Sequence, residues 1–407
     1  MCSWSSWPIS SSGTPERMAD MYRIQTFNNI AVRGLDRFPR DQYEVASSLI
    51  DPDAIMLRSH DLHATPIPES VVAVGRAGSG VNNIPVQALS ERGVAVFNAP
   101  GANANAVKEL VIAGMLLAAR NLIPAAEYLR GLDASAPDFQ KLVEDGKKRF
   151  VGFELPGRTL GVIGLGAIGV KIANAAHVLG MQVIGYDPKV TVESAWRLES
   201  GVDRARSVDT VVANADVITF HVPLTDQTRN TLDEKRIRAL KRGAIVINLA
   251  REGIIDDAAL CAALDSGHIH AYVTDFPTPE LVHHPRVITL PHLGASTGES
   301  EENCAVMIAD ELREYLEHGN VMHSVNLPSM TLERKGETRL AIVNRNLPDR
   351  VGQISHVLGQ NGLNILHLVN DSRGDLAYTL LDVEGTIDAA TVQAIGGIDG
   401  VLRARVL

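Results

Sequence analysis

The 407-residue chain carries 38 Lys and Arg against 48 Asp and Glu, a net charge of −10, and 45% of its residues are hydrophobic. That length exceeds one ordinary core and predicts two or three domains, and the apolar content excludes global disorder. The acidic balance without a long basic run argues against a nucleic-acid partner, the longest apolar run (110–119) is too short to span a bilayer, and three scattered cysteines (Cys2, Cys261, Cys304) form neither a disulfide framework nor a zinc pattern, so a reducing, cytoplasmic setting is expected.

Residues 1–20 are Ser-rich, lack the apolar core of a signal peptide and read as a disordered extension. From 21 to 103, short apolar runs that end in polar loops (DAIMLRS, VVAVGRAGSG, VAVFNAP) alternate with helical stretches. This rhythm predicts a parallel sheet with its sites at the strand carboxyl ends. A long apolar helix is expected from Ala104 to about Arg130, capped by Asn103 or Asn105 and buried between domains or subunits. A polar stretch that includes the basic run Lys147, Lys148 and Arg149 then leads into TLGVIGLGAIGVKIANAAHVLGMQVIGYD, residues 159–187. The basic run reads equally as a solvated surface or as a reach toward a phosphate.

That stretch reads strand, glycine turn, helix, strand, acid. Gly164 permits the tight turn, Gly166 lets a pyrophosphate approach the backbone, and Gly169 lets helix and strand pack closely. The free N–H groups at the helix start suit an anion. Asp187, eighteen positions after Gly169, stands where an acid binds the ribose hydroxyls of NAD and repels a 2′-phosphate. Lys189 lies close by. NAD is therefore the expected cofactor, and no metal is expected.

Further βα units follow at ADVITFHVP, GAIVINLAREG, AYVTDFP and RVITLPHLG, then an amphipathic helix from Ser300 to about His318. Residues 329–336 read as a linker. Residues 337–407 order as βαββαβ. The expected class is α/β: two Rossmann-like doubly wound parallel-sheet domains (21–103 with 295–328, and 104–294) followed by a ferredoxin-like module (337–407).

Hydride chemistry beside NAD needs a cation for the substrate carboxylate and carbonyl, an acid–base group for the hydroxyl proton, and a carboxylate to orient that base. Arg251 follows the strand IVINLA and offers a planar fork. His292 follows VITLP and titrates near neutral pH. Glu280 lies in the loop between them. A strand-end Arg is about as often a salt-bridge partner, and a His after Pro is often only a loop residue.

GLGAIG, HVPL, NLAREGIID, Asp275 and PHLGAST, in that order, resemble the D-2-hydroxyacid dehydrogenase family over about residues 21–328. The resemblance implies a catalytic set of Arg251, Glu280 and His292. It also implies NAD contacts at Ala167, Ile168, His221, Val222, Pro223, Ala250, Asp275 and Gly294. The family's loop usually places Pro after the Glu, whereas here Pro279 precedes Glu280. Arg58 and Ser59, with Arg76, Gly78, Ser79 and Gly80, resemble the substrate loops of family members that act on phosphorylated acids. In the tail, NRNLPDRVGQIS and NGLNI resemble the ACT domain, a regulatory module for small amino acids. Together these imply oxidation of 3-phospho-D-glycerate by NAD to 3-phosphooxypyruvate, the first step of L-serine synthesis. The site is expected in a cleft between the two α/β domains, whose closure gates turnover. The apolar helix from Ala104 suggests a buried dimer contact and ACT modules tend to pair, so a homodimer or homotetramer is expected; the resemblance also implies an L-serine site at paired ACT modules that uses Asn346 and Asn364. Asn344 stands where an effector-contacting His often lies, and Asp349 adds a carboxylate that would repel an amino acid's own. The competing functions are another acid, as in a glyoxylate or hydroxypyruvate reductase, and a non-catalytic NAD-responsive binding protein. The paired Arg251 and His292 speak against the latter.

Overall fold

The computed structural model describes residues 21–407; the expected N-terminal extension lies outside the described residues. The chain divides into two compact units, one formed by 99–304 and the other by the described part of 1–98 together with 305–407. No helix among the described residues is long and apolar enough to cross a membrane.

In the unit that holds both ends of the described chain, β1 (Tyr22–Phe27), β2 (Tyr43–Ala46), β3 (Ala54–Leu57), β4 (Ala73–Arg76) and β5 (Ala95–Asn98) form a parallel sheet in the order β2-β1-β3-β4-β5. β3 is buried at all four positions, which is why it reads as a continuous apolar run rather than an alternating one. The return helix Gly298–Arg313 lays Ile308 and Leu312 against Gly75 of β4, where a Cβ would stand 2.4 Å from the Ile308 side chain. Its last turn widens into a π-helix, Glu314–His318, ended by Gly319 at φ 70°.

In the 99–304 unit, β6 (Thr159–Ile163), β7 (Gln182–Tyr186), β8 (Val202–Arg204), β9 (Val217–Phe220), β10 (Ala244–Asn248), β11 (Ile269–Thr274) and β12 (Val287–Thr289) form a parallel sheet ordered β12-β11-β10-β9-β6-β7-β8. Strand order reverses between β6 and β9, the place where open α/β sheets bind nucleotides. The single helix expected from Ala104 to Arg130 is two, Ala104–Ala119 and Leu122–Arg130. Asn121 between them is left-handed at φ 51°, and Pro124 in the following turn has no N–H to continue the ladder. The first helix buries Val107, Val111 and Met115 on the sheet core, whereas no residue of the second is buried. Neither expected cap forms: Asn103 makes no capping bond, and the Asn105 side chain bonds Glu109.

The tail follows the βαββαβ order. β13 (Thr338–Arg345), β14 (Ile365–Arg373), β15 (Leu376–Val383) and β16 (Val401–Val406) form an antiparallel sheet, ordered β14-β15-β13-β16, with helices Arg350–Gln360 and Ala389–Gly396. Every residue of β15 is buried, so both faces of the sheet are covered there. One face meets its own helices through Ile354, Leu358 and Ile395. The other meets the end of the return helix. The Tyr378 hydroxyl donates to Gly319 O at 2.6 Å, Arg405 donates to Tyr315 O at 3.1 Å, and Arg339 donates to His318 O at 3.0 Å. Arg339 is fully buried and fork-bonded to Asp382 at 2.6 and 3.0 Å. The segment 329–336 is tied down on the way: Met330 bridges Val321, and Lys335 N donates to Asp382.

Candidate active site

The cradle for a dinucleotide is built by three glycines with three different constraints. Gly164 sits at φ 95°, and a Cβ there would strike the His221 carbonyl at 2.6 Å. A Cβ on Gly169 would fall 1.9 Å from Gly164 O, so helix Ala167–Val178 can close on β6 only without one. At Gly166, which caps that helix in an extended conformation, nothing lies within 4 Å of the Cβ position. Ala167 and Ile168 carry on the first turn, with backbone N–H groups free for an anion. Asp187, just past β7, is fixed by two backbone donors, Leu165 N to Oδ2 at 2.9 Å and Lys189 N to Oδ1 at 2.8 Å. Lys189 therefore serves the acid through its backbone.

His221, Val222 and Pro223 follow β9 on the other side of the switch point. The His221 ring hydrogen-bonds the buried Thr219 hydroxyl at 2.9 Å, and burial pushes its imidazole down to about 3, so it is a neutral group here. Asn248, which sequence reasoning passed over, ends β10 buried and holds the next turn. Its Oδ1 accepts from Ala250 N at 3.1 Å and its Nδ2 donates to Arg251 O at 2.8 Å.

Arg251 and His292 converge on one aromatic ring. The guanidinium lies 6.0 Å from the Phe276 centroid, and the His292 ring stacks on Phe276 at 4.7 Å, tilted by 48°. Phe276 carries no polar signal in the sequence, so its place beside both groups was hidden. His292 adopts φ 49°, and its N–H donates to Asp275 O at 3.0 Å. Both Arg251 and His292 are exposed.

Asp275 is 1% exposed. Its Oδ2 accepts from Gly294 N at 2.9 Å, while its buried Oδ1 has no hydrogen-bond partner. Burial raises this carboxyl; the Gly294 N–H and the charges of His292 and Arg251 oppose the rise. An orphaned buried acceptor beside Arg251 and His292, together with the open space at Gly166, is what a bound dinucleotide with an amide-bearing ring would fill.

Glu280 is not brought to His292. It is exposed in the turn after β11, and among the described residues no hydrogen bond or ion pair joins it to the imidazole. Its charge acts instead on Asp257, at the start of helix Asp257–Asp265, whose carboxyl is raised by burial first and then by Glu252 and Glu280.

The other unit carries the expected substrate loops at the carboxyl ends of β3 and β4. Arg76 is turned into them. Its Nε donates to Arg58 O at 3.0 Å and its Nη1 to Gly80 O at 2.7 Å, so it braces one loop against the other. Gly78 is needed for this, since a Cβ there would stand 2.7 Å from Arg76 Nη1. Ser59 N is held by Asn28 Oδ1 at 3.0 Å, and Ser79 O by the Asn98 side chain at 2.5 Å. Asn83 donates to Arg58 O and His60 O. Asn28, Asn83 and Asn98 escaped sequence reading, although asparagine beside strand-end loops is a usable signal for such bracing. Lys147 and Lys148 pair with Glu144 and Asp145 at the end of the preceding helix Phe139–Gly146, and Arg149 stacks on Tyr128 at 4.7 Å, which fits a surface run.

In the tail, Asn346 donates to Gly374 O at 3.2 Å and lines a pocket of about 140 Å3 with Asn344, Asp349, Arg350 and Asn370. Asn364 lies outside that lining, beside Glu384 at 3.5 Å.

Residues 112–294 match the family model described as D-isomer specific 2-hydroxyacid dehydrogenase, NAD binding domain. The D-3-phosphoglycerate dehydrogenase of Escherichia coli (strain K12) is 32% identical over 413 residues, covering 97% of this chain and 96% of the relative. The chain belongs to the D-2-hydroxyacid dehydrogenase family. NAD is the cofactor of this family's nucleotide domain, and the glycine cradle above lies within the matched residues. The D-3-phosphoglycerate dehydrogenase of Methanocaldococcus jannaschii is 35% identical over 349 residues, covering 84% of this chain and 63% of the relative, so the chain spans under two thirds of that protein's length. Among solved structures, an NAD+-bound 3-phosphoglycerate dehydrogenase from Entamoeba histolytica shares the family fold with a TM-score of 0.58 at 24% identity, covering 75% of this chain and 99% of its own.

Proposed function

We propose that this protein oxidises 3-phospho-D-glycerate with NAD to 3-phosphooxypyruvate, the entry reaction of L-serine synthesis. The observation that carries the chemistry is the flanking of buried Asp275 by Arg251 and His292 at the carboxyl edge of the NAD-binding sheet. The substrate follows from the full-length likeness to the Escherichia coli enzyme.

His292 takes the C2 hydroxyl proton. Arg251 holds the carboxylate and the developing carbonyl oxygen through its planar fork. When bound, NAD would supply the hydride acceptor. Gly166, Ala167 and Ile168 would hold its pyrophosphate, Asp187 its ribose, and Asp275 Oδ1 the amide of its ring, with Ala250, Gly294 and the His221–Pro223 turn lining the rest. Glu280, whose charge acts on Asp257, is given no part in this transfer. Arg58 and Ser59, with the backbone of Gly78, Ser79 and Gly80, receive the anionic end of the substrate, and Arg76 keeps those two loops in register.

The tail module is assigned as an ACT domain. The Asp349 carboxylate in the pocket lining opposes an amino acid's carboxylate, so L-serine is expected to bind weakly there if at all. The exposed Leu122 and Leu129 of helix Leu122–Arg130 fit a contact within a homodimer. NADH formation from a panel of D-2-hydroxy acids, with and without L-serine, tests the reading. Turnover of D-glycerate equal to that of 3-phospho-D-glycerate would reject the substrate, and cofactor binding without turnover of any acid would reject the enzyme.

A further inference from the structure

A second acid–imidazole pair lies outside the catalytic set. Glu311, on the inner side of the return helix, is 5% exposed, and its Oε1 meets His323 Nδ1 at 2.5 Å. The other carboxylate oxygen, Oε2, is buried without a hydrogen-bond partner. The His323 side chain is 39% exposed, so the pair runs from the core to solvent. Its surroundings tie it to the substrate loops. The His323 carbonyl accepts from Asn98 N at 3.5 Å, next to the bridge between Phe97 and Ser324. Asn98 in turn holds Ser79 O, and the helix that carries Glu311 abuts Gly75, the neighbour of Arg76.

We propose that Glu311 and His323 form a positioning pair that sets the Ser79–Gly80 loop for the anionic end of the substrate, and so govern substrate affinity rather than the hydride step. This rests on the reaction proposed above. His323 anchors the strand edge through its carbonyl and is itself oriented by a carboxylate that cannot rotate away in the core. The charged groups around the pair are few. Asp310 precedes Glu311 and is bonded to Arg37; Arg76 ends β4 with two of its donors on carbonyls; Arg373 of β14 donates to Ser324 O. Burial, with Asp310 adding to it, pushes Glu311 up to about 8, and burial lowers His323. The pair therefore holds one proton at neutral pH. Losing it places a negative charge behind the loop that receives an anion, and affinity then falls.

The test is steady-state kinetics with 3-phospho-D-glycerate across pH for wild type, Glu311→Gln, Glu311→Ala and His323→Ala. The alanine variants are expected to raise KM about tenfold, the scale of one lost hydrogen bond to a charged group, with kcat within about twofold. Wild-type KM is expected to climb as pH passes about 8, and Glu311→Gln, which keeps the acceptor but cannot ionise, is expected to match wild type at pH 7 and stay flat above it. An unchanged KM in folded His323→Ala, or a Glu311→Gln profile that climbs like wild type, overturns the proposal. If the alanine variants do not fold, the Glu311→Gln profile decides alone. If wild type oxidises a different acid, the substrate reading fails by itself and the same comparison is made on that acid.

Discussion

Gly166 and Gly169 are three residues apart in one motif, yet the structure assigns them opposite liabilities. Gly169→Ala would place a Cβ 1.9 Å from Gly164 O, well inside the ordinary contact range of 3.4–4 Å. Helix and strand would have to part by more than an ångström, an overpacking cost of about 1–3 kcal/mol or more. Gly166→Val meets no protein atom at its Cβ, and the backbone there (φ −76°, ψ −162°) suits any residue. Its stability should stay within about 0.5 kcal/mol of wild type. Its added methyl groups occupy the space meant for the pyrophosphate. Losing one hydrogen bond from a backbone N–H to a charged phosphate removes about 1.5–3 kcal/mol, which is roughly 10- to 150-fold in affinity. Thermal melts of the apoprotein and NADH titration by fluorescence separate the two effects. Gly169→Ala should melt earlier, and Gly166→Val should melt normally but bind NADH poorly. A Gly166→Val protein that binds NADH within about twofold of wild type refutes the cradle.

Three further outcomes follow from the geometry. His292→Ala should lose roughly 2–4 decades of kcat while NADH affinity, read by titration, holds; a near-normal rate removes His292 from the proton transfer. Asp382→Ala strands the buried Arg339 and should cost about 3–5 kcal/mol in urea unfolding at pH 7. Burial alone would raise Asp382, but the Arg339 and Lys335 donors hold it below the usual carboxylate range. Its contribution is therefore complete above the unfolded value near about 3.9 and is lost as pH falls through the lower folded value, so the gap between variant and wild type should narrow in acid; a gap that widens there would contradict the pairing. Arg76→Lys keeps the charge but cannot make both carbonyl bonds. It should raise KM for substrate by about tenfold through loop disorder, and an unchanged KM would show that the brace is dispensable.

The parallel strands were legible because buried strands write themselves as unbroken apolar runs, and the glycine motif because each glycine answers a separate steric demand. Arg251 and His292 were legible from their places at strand ends. The break at Asn121 was also readable, from Pro124, but the apolar stretch on both sides masked it. Other features are contacts between residues far apart in the chain, which periodicity does not record. Arg76 reads as a ligand cation until its donors are seen on the Arg58 and Gly80 carbonyls. Glu280 holds its motif position yet lies near Asp257. Phe276, Asn248 and the Glu311–His323 pair matter through what folding places beside them.

The two units differ in when they can be completed on the ribosome. Residues 99–304 are contiguous, so that unit has every strand and helix it needs before residues 305–407 are made. The other unit cannot be finished until Leu407 has emerged. Its first sheet waits for the return helix, and that helix exposes the carbonyls of Tyr315, His318 and Gly319 until Arg405, Arg339 and Tyr378 arrive to cover them. Leu407 is part of the closure, since it exchanges backbone bonds with Arg339. A chain stalled or clipped within residues 337–407 therefore keeps a finished nucleotide fold attached to an open, sticky partner, and quality control would meet this protein as a half-built one rather than as a shorter enzyme.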